Sequence, residues 1–193
     1  MNTVETLRGL PALFRYNDAA KFTQNANVFL TRALSKGVIA RVCRGVYHNS
    51  LFHPRPGIEE VGCFVKSPSY VSCEWAMNAH GVILQVPSVC TVLTLAPNSG
   101  ARDKIAWDGA VLEFSRISPR LFYGYKNAGG FNLASPEKAL LDAVYMRGAI
   151  PFADELEMDR LDTAKLAELA ASFPLTVRRK ISNLTGMTPK GLR

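Results

Sequence analysis

Residues 24–47, QNANVFLTRALSKGVIARVCRGVY, leave the chain few choices. Asn25 is suited to cap a helix whose apolar stripe, Phe29, Leu30, Ala33 and Leu34, recurs at spacings of three and four. Gly37 stands where a helix-ending glycine belongs, and the residues after it alternate apolar and polar about a second glycine, Gly45. A short helix must therefore stop and pass directly into a tight hairpin. Upstream, TVETLRGLP reads as a first short helix interrupted by Pro11, and NDAAKFT as a second, with Asn17 or Asp18 as its cap. Three short helices followed by a hairpin give the order of a winged helix-turn-helix.

In that arrangement the third helix enters the major groove and the hairpin is the wing. The outward face of the helix offers Asn27, Thr31 and Arg32, with Lys36 at its end; the wing offers Arg41 and Arg44. Amide, hydroxyl and guanidinium groups can read base edges, whereas cations at a wing tip suit phosphates or the minor groove. Charge placement points the same way. The chain carries a net charge of +7, and residues 1–56 hold Arg8, Arg15, Lys21, Arg32, Lys36, Arg41, Arg44 and Arg55 against only Glu5 and Asp18. Such a bias favours a polyanionic partner, double-stranded DNA, over a merely solvated basic surface.

NSLFHPRPG breaks the periodicity and marks a linker, dividing residues 1–52 from residues 57–193. Beyond it IEEVGCFV is helical, and Ser72 is placed to cap a further short helix ending at Gly81. SVCTVLTL has the β-branched run of a buried strand, and KIAWDGAVLEFSRI carries an Asp-Gly hairpin signal. LFYGYKN and GFNLAS suggest another strand pair. In ASPEKALLDAVYMRG, Ser135 caps a helix with Pro136 at its first position; LDTAKLAELAASF and PLTVRRKISNLTG supply two more. The expected class is α+β: an N-terminal winged helix, then a small, mainly antiparallel sheet flanked by helices.

The combination of RVCRGVY, PSYVSCEWAMNAHGV, RLFYGY and ASPEKALLDAVY resembles the AbiEi antitoxins of bacterial type IV toxin–antitoxin (abortive infection) systems. Arg41, Arg44 and Tyr47 match that family's wing, and Ser135, Pro136, Glu137, Lys138 and Asp142 its characteristic helix. The resemblance implies a head that binds inverted repeats in its own promoter and represses the operon. It also implies a body that counters a nucleotidyltransferase-like toxin as functional partner. LAPNSGARDKI departs from the pattern, because a denser basic run is expected there.

No phosphate-loop, dinucleotide, zinc-protease or nucleophile-elbow motif is present in the sequence. We therefore expect no enzyme, no cofactor and no metal. The four cysteines form no CxxC pair and read as reduced, and the histidines of CRGVYHNSLFH match no familiar ligand spacing. A nuclease assembled from Asp108, Glu113 and Lys138 is an alternative without a recognised spacing, and a protein-interaction module is another. Glu137 and Lys138 read as surface charges of a helix start. With no export signal and no apolar run of about 20 residues, a cytoplasmic location away from the membrane is expected.

Overall fold

The computed structural model describes residues 3–97 and 104–186. Residues 98–103 of the LAPNSGARDKI stretch, and the end of the basic tail from residue 187, lie outside the described residues. The fold is α+β. The head comprises helix α1 (Thr3–Arg8), strand β1 (Leu13–Arg15), α2 (Tyr16–Ala20), α3 (Ala26–Ser35), β2 (Ala40–Cys43) and β3 (Val46–His48). Its three strands form an antiparallel sheet in the order β1-β3-β2. Leu7, Leu10, Phe14, Ala19, Phe29, Leu30, Ala33, Ile39 and Tyr47 make its core.

The body begins with α4 (Ile58–Val65), β4 (Ser69–Ser72), α5 (Cys73–Ala79) and β5 (Val89–Thr94). β6 (Lys104–Trp107), β7 (Ala110–Arg116), β8 (Tyr125–Asn127) and β9 (Asn132–Ala134) complete its sheet, followed by α6 (Pro136–Arg147), α7 (Thr163–Ala170) and α8 (Leu175–Thr185). The order is β6-β7-β5-β4-β9-β8. β6–β7, β4–β5 and β8–β9 pair antiparallel, but β5–β7 and β4–β9 are parallel, so the sheet is mixed. The Asp108-Gly109 turn forms where the sequence signals it, with φ of 52° and 81°. That local signal does not say which strand of the hairpin joins the older sheet; β7, the second, does so, and this makes the pairing to β5 parallel.

The body's helices cover the sheet on two sides. α5 to α8 share a core with Tyr70, Leu93 and Ala134, while α4 lies with Val71, Val92, Leu112 and Phe114. This second core also contains Leu13, Val42 and Val46, so the head contributes to it directly. NSLFHPRPG is correspondingly tied down. Asn49 is fully buried and donates to the carbonyls of Leu7 and Leu10 at 2.8 and 3.0 Å. The Trp107 indole donates to Pro56 O at 3.0 Å, and the Arg55 guanidinium lies 4.4 Å from the Trp107 ring centroid.

Gly62 sets how closely α4 approaches the sheet. A Cβ there would lie 2.7 Å from Val92 Cγ2 and 2.8 Å from Leu112 Cδ2, both on fully buried side chains. Gly62→Val should therefore destabilise by about 1–3 kcal/mol through overpacking. Denaturant midpoints check this; an unchanged or raised midpoint would show that α4 can withdraw freely.

Candidate nucleic-acid interface

Helix α3 is built as its pattern demands. Asn25 Oδ1 accepts from Val28 N at 3.2 Å, and Ala26, Phe29, Leu30 and Ala33 are buried. Gly37, at φ +67°, closes the far end, with Gly37 N donating to Leu34 O and Val38 N to Ala33 O. Burial of one face leaves Asn27, Val28, Thr31, Arg32, Ser35 and Lys36 exposed. In the hairpin, Arg44 and Gly45 form the turn; Gly45 has φ +77°, and Arg41 and Arg44 are exposed. Tyr47 is buried and stacks on Phe14 at 5.6 Å, with the Arg41 guanidinium 5.9 Å from its ring centroid. Tyr47 thus anchors the hairpin, and all six candidate DNA-binding side chains reach solvent.

Asp18 does not oppose this surface with an idle charge. Its carboxylate accepts from Arg15 N at 2.9 Å and from Lys21 Nζ at 3.0 Å. The backbone hydrogen bond, aided by the lysine, holds its pKa below the ordinary carboxylate value.

The residues of the nuclease alternative do not share one cluster. Asp108 is exposed and pairs with Arg55 at 3.5 Å. Glu113 pairs with Arg147 at 3.2 Å and Lys104 at 3.5 Å. Lys138 is buried with a different set of partners. His48, His53 and His80 each place Nε2 on a backbone carbonyl, of Pro54, Leu10 and Ala134 respectively. Among the described residues no group of three or more His, Cys, Asp or Glu is placed to hold a metal. The four cysteines are free.

Two sequence readings need correction. Glu137 and Lys138 are not surface charges: they are 3% and 0% exposed. α6 is buried on nearly every side, packed against α5, α7, α8, β4 and β9. Glu137 accepts from Ser135 Oγ at 2.9 Å and pairs with Lys165 at 2.6 Å, and these contacts lower its pKa despite burial. Lys138 Nζ donates to Asp142 Oδ1, one helical turn on, and to the Tyr70 hydroxyl at 2.9 Å. Ser72 stands before α5 but makes no side-chain cap; its hydroxyl donates to Asp142 Oδ2 at 2.8 Å, beside Tyr70 OH at 3.0 Å.

Burial raises the pKa of Asp142 and lowers that of Lys138, each toward its neutral form. The surroundings oppose this. Three donors converge on the carboxylate, while the rings of Tyr70, Tyr123 and Phe173 lie 5.1 to 5.4 Å from the ammonium. The sequence signal for this network is a lysine and an aspartate four apart, Lys138 and Asp142, amid the buried apolar residues of α6.

No family model matches the chain. No curated protein matches it either. The fold is similar to that in the crystal structure of the RV2827C protein from Mycobacterium tuberculosis, with a TM-score of 0.61 and 13% identity over 95% of this chain and 74% of that one. At that identity the likeness concerns the fold alone.

Proposed function

We propose that this chain is a DNA-binding transcriptional repressor whose head is a winged helix-turn-helix, and that it is an antitoxin of the AbiEi type. The observation carrying this reading is the joint exposure of Asn27, Thr31, Arg32, Lys36, Arg41 and Arg44 on α3 and the β2–β3 hairpin. The sequence of elements from α1 to β3, with the sheet order β1-β3-β2, supports it, because this order presents one helix and one hairpin together. Promoter inverted repeats are the expected target. The body would oppose a nucleotidyltransferase-like toxin, and no residue is assigned a catalytic role.

The test titrates the full chain onto duplex DNA from its own promoter and onto an unrelated duplex, with fluorescence anisotropy as readout. Arg32→Ala should change the preference among promoter variants by about 1–3 kcal/mol, the worth of a bidentate contact to a base. An equal loss on every duplex would make Arg32 a phosphate contact. Equal affinity of the parent chain for both duplexes would overturn sequence-specific repression.

One observation favours a protein partner for the body as well. Leu84 and Val86 are 74% and 77% exposed, on a loop held by Asn78 Nδ2, which donates to Ile83 O, Leu84 O and Gln85 O. Co-expression with the neighbouring gene product, measuring growth and promoter activity separately, tests the antitoxin part. Unrelieved toxicity would remove it.

A further inference from the structure

A cleft of about 710 Å³ lies between head and body, walled by β1, α4, the start of β4 and the β8–β9 turn. Ser69, the first residue of β4, lines it. This serine is 3% exposed, and its hydroxyl has no hydrogen-bond partner. Its carbonyl is satisfied, accepting from Asn132 Nδ2 at 3.0 Å. Side chains alternate along a strand, so Ser69 shares the face of Val71, which packs with α4 and Leu13, while Tyr70 and Ser72 turn the other way to Asp142. The orphan hydroxyl thus stands on the side of the sheet where the cleft lies. Folding rarely leaves a buried hydroxyl unpaired, because its desolvation goes uncompensated.

Two charged groups complete the polar lining. Arg15 Nη2 donates to Phe64 O at 2.7 Å and Val65 O at 3.3 Å, which fixes the guanidinium without cancelling its charge. Among the described residues it has no ion pair, and its other side-chain nitrogens make no hydrogen bond. Glu60 Oε2 accepts from Gly57 N at 3.0 Å, and Glu60 too has no ion pair among the described residues. Its Oε1 faces Gly130, where a Cβ would lie 3.0 Å away; the glycine leaves that oxygen uncovered.

The cleft has the volume of a small-ligand pocket, roughly 300–1,000 Å³. Arg15 is the one cation in its lining and Glu60 the one carboxylate, so a ligand of single charge leaves the other group unmatched. Leu13, Phe64, Phe131 and three prolines supply apolar wall. A ligand with a carboxylate for Arg15, an ammonium for Glu60 and an apolar substituent for the wall satisfies all three. We propose that this cleft binds a free α-amino acid with an apolar side chain, and that the Ser69 hydroxyl hydrogen-bonds it. The inference stands apart from the DNA reading.

The test is calorimetric titration of the full chain, without DNA, with L-phenylalanine and L-leucine. Glycine, 3-phenylpropionate and 2-phenylethylamine, which lack the apolar side chain, the ammonium and the carboxylate respectively, should each bind at least tenfold more weakly than L-phenylalanine. Glu60→Gln keeps an acceptor for Gly57 N; it should weaken L-phenylalanine about tenfold and leave 3-phenylpropionate unchanged. Ser69→Ala removes an unpaired hydroxyl, so its unfolding midpoint without ligand should equal or exceed the parent's, while its affinity for L-phenylalanine falls about fivefold. Absence of binding by both amino acids would overturn the proposal. So would either single-charge analogue binding as tightly as L-phenylalanine, or parental affinity in the Ser69→Ala protein. Because no duplex enters the measurement, these outcomes leave the DNA reading untouched, and failure of DNA binding leaves this site standing.

Discussion

Asp142→Asn should unfold roughly 6–20 °C below the parent protein. The substitution keeps the volume and removes the charge, leaving the Lys138 ammonium without its counter-ion in a site that is 0% exposed. Breaking one side of a buried pair costs about 3–5 kcal/mol, and each kcal/mol shifts the midpoint of a chain this size by about 2–4 °C. Lys138→Met should cost less, because Asp142 keeps Tyr70 and Ser72 as donors and can take up a proton. Burial already raises the Asp142 pKa above its ordinary value of 3.8, and the lysine is among the groups pulling it down. Without the lysine the folded pKa rises further above the unfolded one. The folded state then binds the extra proton, so stability is present below the folded pKa and lost as pH rises through it. Urea midpoints of Lys138→Met at pH 5 and pH 8 should therefore differ, with the higher value at pH 5. Equal midpoints at the two pH values, or an Asp142→Asn protein as stable as its parent, would show that the pair carries no charge of consequence.

That network explains where sequence reasoning stopped. Elements governed by local chemistry were legible: the α3 stripe ending at Gly37, the Asp-Gly hairpin, and Ser135 accepting from Lys138 N as the cap of α6. What was not legible depends on contacts distant in the chain. The apolar stripe of α6 predicts one buried face, but five elements surround the helix, so its first-turn charges are enclosed. Ser72 has the residue type and position of a cap, yet a carboxylate 70 residues away takes its hydroxyl. NSLFHPRPG has the composition of a linker, but the His53 ring meets Leu10 O just past α1 and Pro56 O accepts from Trp107 in β6, partners that are distant in the chain. The exposure of Asn27, Thr31, Arg32 and Lys36 was legible for a complementary reason: the stripe that buries one side of α3 leaves these positions facing solvent.

Changing Arg41 and Arg44 together to alanine should weaken binding to every duplex by about 30-fold near 0.15 M salt. The figure follows from counterion release. Each phosphate contact contributes about 0.9 to the log–log salt slope, so two contacts give a slope change near 1.8 and about one and a half decades of affinity at that salt. Because the effect is electrostatic, preference among promoter variants should be unchanged, in contrast to Arg32→Ala. The fold should tolerate the change. Both side chains are exposed, and the hairpin is anchored by Val46 and Tyr47 rather than by its arginines. Arg41 does lie 5.9 Å from the Tyr47 ring centroid, a surface contact worth roughly 0.5–1 kcal/mol, so a small fall in the unfolding midpoint is expected alongside the loss of binding. The measurement is anisotropy at four or more salt concentrations, with circular dichroism confirming that the double variant is folded. A parental slope in a folded protein would take the β2–β3 hairpin out of the interface. A loss confined to the promoter sequence would make one of these arginines a base reader, reached through the minor groove, where A·T and G·C pairs are still told apart.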